Sequence, residues 1–576
     1  MIPDSTPGAG DITVGETLVL LDGPFAALAQ GITNGQYAFW LGSGISLSRL
    51  AGLRGVVERV LSFLQEHIDP DDAECRYRRA LDEALDLAKL SQEQRATIDC
   101  RRSVNEWPMH EVILTGLTNS YAELLDVRVA GEAPDYLLWD AVDVSATYAT
   151  NTDPDVEHIC LAVLALEGVL PDVASANWDG LIESAAERLA SSDTQTLQVY
   201  VRAADFRKPS ARTRLLKFHG CAVLAAQDPD NYRHLLIARQ SQITRWPHNP
   251  EFAAMQDQLA ILASTRPTLM IGLSAQDSNI QYIFAHAAER MPWTWPCDPP
   301  AHVFAEDRLD VKQTNILKVV YGSAYDLYGD DILQSAHLRV YAKVLLTSLV
   351  LYVLGAKLRA FVLTVDAPRM SPADRSQIAD GILQMRDLIA TFASADLLGF
   401  ISELTRAHGR AVSLFQEGSE PIETDAAYRP LSAVTAHQIP NDPSLSTGGV
   451  RELATALGLI GIAQANGDLV ISTSGTSQGS RGVFKVTSGL RETAVFFAAN
   501  GRASVHLYAS GIVDRSRSDV LVIHSTERPA PRRRSPRRSL GRIGRARQRD
   551  VVMAELLMAA SGVADLQQRF REASSL

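Results

Sequence analysis

At 576 residues, with 46% hydrophobic and 21% charged positions, the chain has the composition of a folded protein and the length for two or more domains, each with a sizeable core. A formal net charge of −12 argues against a uniformly basic nucleic-acid-binding surface and leaves room only for a local one. Five cysteines, at 75, 100, 160, 221 and 297, contain no Cys-x-x-Cys pair, so they suggest neither a zinc ribbon nor a disulfide framework and point to a reducing cytoplasm.

Met1 to Gly15 is acidic and small-residue-rich, without the basic region and apolar run of an export signal, which fits a cytoplasmic protein. Glu16 to Gly31 reads as one helix, and Gln36 to Leu41 as a short buried strand running into a glycine turn at Gly42. From Leu53 to Ser103 apolar residues recur at three- and four-residue spacing, with a charged helix over Asp71 to Lys89; this insertion is placed to cap a site. Strand-like runs then alternate with helices at Leu170 to Ala176, Arg214 to Phe218, Thr268 to Leu273 and Ala301 to Ala305. The alternation predicts an α/β fold, a Rossmann-like doubly wound parallel sheet with a helical insertion, over residues 1–330.

His337 to Gln416 reads as helical throughout, with one break at Pro368 and Ser371-Pro372, giving a helical segment over 331–416. Its most apolar part, Val344 to Ala356, is bracketed by Lys343 and Lys357 and is shorter than the ~20 residues that span a bilayer, so a buried helix is expected and no membrane. The polar, proline-bearing stretch 417–449 is the linker expected before a small β-rich C-terminal domain, 450–576. That domain is predicted to hold a helix over Val450 to Ala465 and strands at Asp468 to Ser472, Val483 to Val486, Thr493 to Ala498, Ser504 to Tyr508 and Val520 to His524, with a last helix over Asp550 to Ser574. Between the last strand and that helix, Arg528 to Arg549 is arginine-rich: a solvated loop by its Pro and Gly content, or a phosphate-binding segment by its charge.

Ligands of doubly wound sheets sit beyond the carboxyl ends of the strands, and four motifs fall there. Gly42-Ser43-Gly44-Ile45-Ser46 is either a plain turn or a place where two glycines let the backbone approach a pyrophosphate, with Ser43 and Ser46 as hydroxyl donors. Asn177 and Asp179 close the next strand, and Asp179 can equally be a helix cap. His219-Gly220 ends the Leu215-Leu216-Lys217-Phe218 run, and Gly272-Leu273-Ser274-Ala275-Gln276-Asp277 repeats the geometry, with Asp277 again a candidate cap.

In order and rough spacing these four segments, Gly42/Gly44/Ser46, Asn177/Asp179, Lys217/His219/Gly220 and Gly272/Ser274, resemble the sirtuin-like domains of the silent-information-regulator superfamily over about the first 330 residues. The resemblance implies that the glycine turn binds the pyrophosphate of NAD, that Asn177 and Asp179 orient the nicotinamide ribose, that His219 is catalytic, and that Gly272 and Ser274 hold the adenosine part. The Pro-Asp-Phe-Arg element of sirtuin deacylases is replaced here by Gly52-Leu53-Arg54-Gly55, and their four-cysteine zinc module has no counterpart. What remains looks like the bacterial branch found in anti-phage defence systems, to which Gln313 to Leu317 and Val320-Tyr321-Gly322 also bear a likeness.

That branch implies hydrolysis of NAD as substrate, without a metal, with Asn177 and His219 catalytic and with Gly42, Ser43, Gly44, Ser46, Asp179, Gly272, Ser274 and Asp277 binding NAD. Cleaving the nicotinamide bond passes through an oxocarbenium-like state in which a neutral amide leaves, so a positioned water and a modest base suffice. The resemblance further implies an effector of abortive infection, silent until triggered, with a HerA-type DNA translocase or a short Argonaute as partner, a homo-oligomer, and nucleic acid reached through that partner or the arginine-rich loop. A non-catalytic nucleotide-binding scaffold within a nucleic-acid-processing complex is the alternative, and protein deacylation a further one.

Overall fold

The computed structural model describes residues 8–72, 74–150, 152–190, 196–209, 211–393, 395–421, 428–445, 448–472, 482–514, 517–526 and 549–576. Of the arginine-rich run, only Arg549 lies within the described residues.

Seven strands, β1 (Ala38–Leu41), β2 (Asp172–Ser175), β3 (Leu197–Tyr200), β4 (Thr213–Lys217), β5 (Thr268–Ile271), β6 (His302–Ala305) and β7 (His337–Leu338), form an all-parallel sheet in the order β3-β4-β2-β1-β5-β6-β7. From β1 the chain moves outward through β2 to the edge strand β3, steps back to β4 between them, and then crosses to the other side of β1 as β5. The loops after β1, β2 and β5 therefore meet where the winding reverses. Register puts Phe39 beside Val173 and Leu269, and Trp40 beside Ala174 and Met270.

Because side chains alternate along a strand, the two faces bury different sets. Trp40, Ala174, Leu216, Met270 and Phe304 pack under the helices of the insertion and those between β4 and β6. Phe39, Leu41, Val173, Leu215, Leu269 and Val303 pack under the N-terminal helices, helix Val156–Leu166 and helix Ala342–Leu363. The doubly wound expectation holds, with β3 and β7 added at the edges.

A second sheet of five strands, β8 (Val470–Ser472), β9 (Phe484–Ser488), β10 (Arg491–Ala498), β11 (Val520–His524) and β12 (Arg549–Val552), runs β12-β11-β10-β9-β8, parallel across β10 to β12 and antiparallel across β8 to β10. Helices Pro372–Ala390 and Val450–Ala465 cover it. Ser371 caps the first of these with Asp374 in a reciprocal pair and Pro372 in its first turn, as the serine-proline pair predicts.

Four expectations are corrected. Glu16 to Gly31 is two helices, Val14–Asp22 and Ala26–Thr33, because Gly23-Pro24 interrupts the ladder. The helical run read from His337 starts only at Ala342, because His337–Leu338 pairs with β6 as β7, and it breaks a second time between Ala390 and Leu397. Ser504 to Tyr508 is not a strand but part of helix Gly501–Ala509, started by the Asn500 side chain accepting from the Ala503 amide at 3.0 Å. The last helix begins late: Arg549–Val552 is strand β12, drawn into the sheet by pairing with β11, and Met553–Ala559 and Val563–Ser574 are separate helices.

Helix Ala342–Leu363 has the length and apolarity of a membrane-crossing helix, yet residues 345–351 are buried on every side of it. Its first half belongs to the core of the seven-stranded sheet and its end, Phe361 and Val362, to that of the five-stranded one. In its C-terminal half, Lys357 is fully buried and donates to Glu167 Oε2 (2.7 Å), to the Glu167 carbonyl (2.5 Å) and to the Ser432 carbonyl (2.8 Å). Tyr428 Oη and the Leu431 amide donate to the other oxygen of Glu167, at 2.6 and 3.1 Å. The described part of the stretch read as a linker is thus fastened to the first sheet.

His302, at the start of β6, is fully buried among the rings of Phe284, Trp293 and Tyr321, and neither of its nitrogens has a hydrogen-bond partner among the described residues. Burial pushes its pKa down to about 3. The folded state holds it neutral while the unfolded chain takes up a proton below pH 6.5, so its contribution is present above that pH and is lost as pH falls toward 3. His302→Leu is expected to spare the protein about 2 kcal/mol of the stability lost between pH 7 and 5. Denaturation at the two pH values measures this, and equal losses in both proteins would refute it.

Candidate active site

Four strand-end loops converge on one cleft, lined by Gly42, Ser43 and Ser46 after β1, Asn177, Trp178 and Asp179 after β2, His219 after β4, and Gly272, Ser274, Gln276 and Asp277 after β5. Its free volume is about 120 Å³, and it is open to solvent at its mouth. The insertion closes one side with Leu53, Tyr121 and Tyr148. Tyr148 Oη donates to the Ala51 carbonyl at 2.8 Å, its ring stands edge-on to Trp178, and burial pushes its pKa up to about 12.

Of the ten residues singled out from the sequence, all but Gly44 line this cleft. Gly44 serves the approach of the β1 and β5 loops to each other: a Cβ there would sit 2.6 Å from the Gly272 Cα, and one on Gly42 would sit 2.3 Å from the Gly272 carbonyl oxygen. The amides of Gly42 and Gly44 donate to the carbonyls of Ile271 and Gly272, both at 3.1 Å. These glycines weld two loops together and do not present free amides to a phosphate. Gly272 itself has φ +61°.

Ser46 is also committed inward. Its hydroxyl donates to Asp179 Oδ2 at 3.0 Å and accepts from Asn177 Nδ2 at 3.4 Å. It lies 3.1 Å from His158 Nε2, and because His158 Nδ1 accepts the Asp155 amide at 3.1 Å, Nε2 carries the proton and donates to Ser46. Burial lowers the pKa of His158, consistent with a neutral ring. Ser43 is exposed at the cleft.

Asp179 is both cap and anchor: its Oδ1 accepts the Leu181 amide at 3.1 Å while Oδ2 holds Ser46. Lys217 points away from the cleft, fully buried, bonded to the Asp179 carbonyl and to Glu183 at 2.5 Å. It braces β4 against the β2 loop. Asn177, so oriented, leaves its Oδ1 buried and without a hydrogen-bond partner among the described residues.

His219 is buried, with Nε2 2.7 Å from Asn279 Nδ2 and Nδ1 3.9 Å from Asp277 Oδ2. Burial holds its pKa below the ordinary value against the pull of Asp277. Asp277 occupies a cap position but makes no side-chain capping bond; its Oδ1 instead accepts from Tyr121 Oη at 3.0 Å, tying the insertion across the cleft. Gln313, part of the weaker motif, donates to the Leu273 carbonyl at 3.0 Å and steadies the β5 loop.

His158, Tyr121 and Asn279 escape the sequence reading. Asn279 follows Asp277 by two residues, and His158 lies three after Asp155 at capping-box spacing, which reads as a structural signal only. Asp155 in turn accepts from Ser48 at 2.5 Å and from Lys343 Nζ at 2.8 Å, contacts that outweigh burial and hold its carboxyl well below the usual range. A line of polar contacts thus runs from helix Ala342–Leu363 through Asp155 and His158 to Ser46. Among the described residues, no three His, Cys, Asp or Glu side chains are grouped to hold a metal.

Residues 171–319, about a quarter of the chain, match the family model described as SIR2-like domain. The matched span carries Asn177, Asp179, His219, Gly272, Ser274, Asp277 and Asn279; the β1 loop and the insertion precede it. A comparison with curated proteins finds no match.

Proposed function

We propose that this chain, whose residues 171–319 form a SIR2-like domain compatible with an NAD-consuming enzyme, is an NAD glycohydrolase that releases nicotinamide and ADP-ribose. The observation that carries the reading is Asn177: a buried amide oxygen at the cleft wall, unpaired, on a side chain whose other end is fixed by Ser46. A buried acceptor without a partner is costly, and a ligand donor offsets that cost. The carboxamide of nicotinamide and the attacking water both supply one.

His219 is the base, taking a proton from a ribose hydroxyl or from that water. Asp179 acts through Ser46 and the helix start, and the exposed hydroxyls of Ser43 and Ser274 are free for phosphate or ribose oxygens. Metal chemistry is not required, because nicotinamide departs as a neutral molecule.

In this reading the protein works in the bacterial cytoplasm as the effector of an anti-phage abortive-infection system, as a homo-oligomer switched on by a HerA-type translocase or short Argonaute. The test is to follow nicotinamide and ADP-ribose from NAD with the protein alone and with each partner. Turnover in any arm is the expected result. No turnover in every arm, with NAD still bound, would favour the nucleotide-binding scaffold, and nicotinamide release only with an acyl-lysine peptide would make it a deacylase.

A further inference from the structure

The buried hydroxyl of Ser46 meets three partners among the described residues: Asp179 Oδ2 at 3.0 Å, His158 Nε2 at 3.1 Å and Asn177 Nδ2 at 3.4 Å. A hydroxyl has one proton to give and two lone pairs to fill. The carboxylate of Asp179 can only accept, so it takes the proton, and the other two partners both donate. Ser46, Asn177 and Asp179 line the cleft, whereas His158 is completely buried in the first turn of helix Val156–Leu166. The Asp155 amide, donating to Nδ1 at 3.1 Å, leaves the neutral ring one form, with its proton on Nε2. Burial keeps the ring neutral against the pull of Asp179 and Asp155, which Arg49 and Lys343 oppose.

We propose that His158 is the positioning residue of Asn177: its Nε2–H anchors the Ser46 hydroxyl, so that the oxygen is held where it receives the Asn177 amide and keeps Asn177 Oδ1 toward the ligand. The proposal rests on reading Asn177 as the group that orients water or carboxamide in NAD cleavage. A serine hydroxyl tied to Asp179 alone is free to pivot about that one bond. The bond from the ring removes this freedom, and the ring is itself fixed by the backbone at the start of its helix. No proton leaves His158 at any stage, which separates its task from that of His219.

A double-mutant cycle on the full-length protein tests this. His158→Phe keeps a ring and removes the donor; kcat for nicotinamide release should fall about five-fold at nearly constant KM. Made in Ser46→Ala, the same change should cost less than about two-fold more, because the group it acts through is gone. His158→Gln, whose amide still supplies an N–H, should keep most of the wild-type kcat. Losses that multiply in full in the double variant, or an unchanged kcat in His158→Phe, overturn the proposal. A ¹⁵N-histidine spectrum at pH 7, with the His158 signal identified by its loss in His158→Gln, should show the proton on Nε2 and an acceptor-type Nδ1; a proton on Nδ1 overturns the proposal whether or not the variants fold. Failure of the wild type to release nicotinamide would instead strike the reading of Asn177, with the nitrogen spectrum still deciding whether His158 anchors Ser46.

Discussion

Asn177→Ala is expected to reduce nicotinamide release by roughly 10²–10³-fold, the loss typical when one preorganised hydrogen-bonding group leaves a site, while NAD binds within a few-fold of the wild type. The reason is geometric. Asn177 is aligned before any ligand arrives: Nδ2 is tied to Ser46, which is itself held by His158 and Asp179, so Oδ1 is fixed in the cleft wall. Removing the amide takes away the group that orients water or carboxamide but leaves the cleft's shape. Ser46→Ala should cost less, about ten-fold, since it loosens Asn177 without removing it. Steady-state kinetics together with NAD-binding calorimetry separate the two effects. Unchanged kcat in Asn177→Ala would remove this residue from the chemistry.

The second large effect is on stability. Lys357→Met strands the Glu167 carboxylate in a fully buried position, and breaking such a pair costs about 3–5 kcal/mol. The pairing with Glu167 is not cheap even when intact: burial lowers the pKa of Lys357 despite the carboxylate beside it. Adding Glu167→Gln should recover part of the loss, because an uncharged amide oxygen can still accept from Tyr428 and Leu431. Scanning calorimetry should show the first transition about 10 °C lower in the single variant, with the double variant between it and the wild type. A single variant that melts with the wild type would show that the pair contributes nothing.

Much of the first sheet was legible because its strands are short, apolar and bounded by glycine or polar loops, and because four motifs fall in chain order at strand ends. Asn177, His219, Gly272 and Ser274, from three of those motifs, lie around one cleft. Their individual tasks were less legible. Gly42 and Gly44 mark in sequence a place of close backbone approach, and in the fold the β5 loop, more than 200 residues away, comes that close and takes their amides. Ser46, a candidate hydroxyl donor in sequence, is the centre of a buried network. Tyr121 and His158 carry no local signal for the site, since their roles arise from contacts with distant segments.

The same limit explains the errors of fold. Arg549–Val552 pairs with β11 and becomes a strand through that pairing, whereas its own residues continue smoothly into a helical pattern. Gly501–Ala509 coils because Asn500 supplies a cap, a local cue outweighed in the reading by the alternation of Ser504 to Tyr508. β3 and β7 lie at the two edges of the first sheet, and β7 is only two residues long.

Helix Ala342–Leu363, at 22 residues, is about 33 Å of stiff rod. One end holds Lys343, which grips Asp155 beside the cleft network, and the other end is embedded in the core of the five-stranded sheet. Lys357 also ties the intervening segment to the helix, through the Ser432 carbonyl. One rigid element thus touches both the polar network behind the cleft and the core of the second sheet.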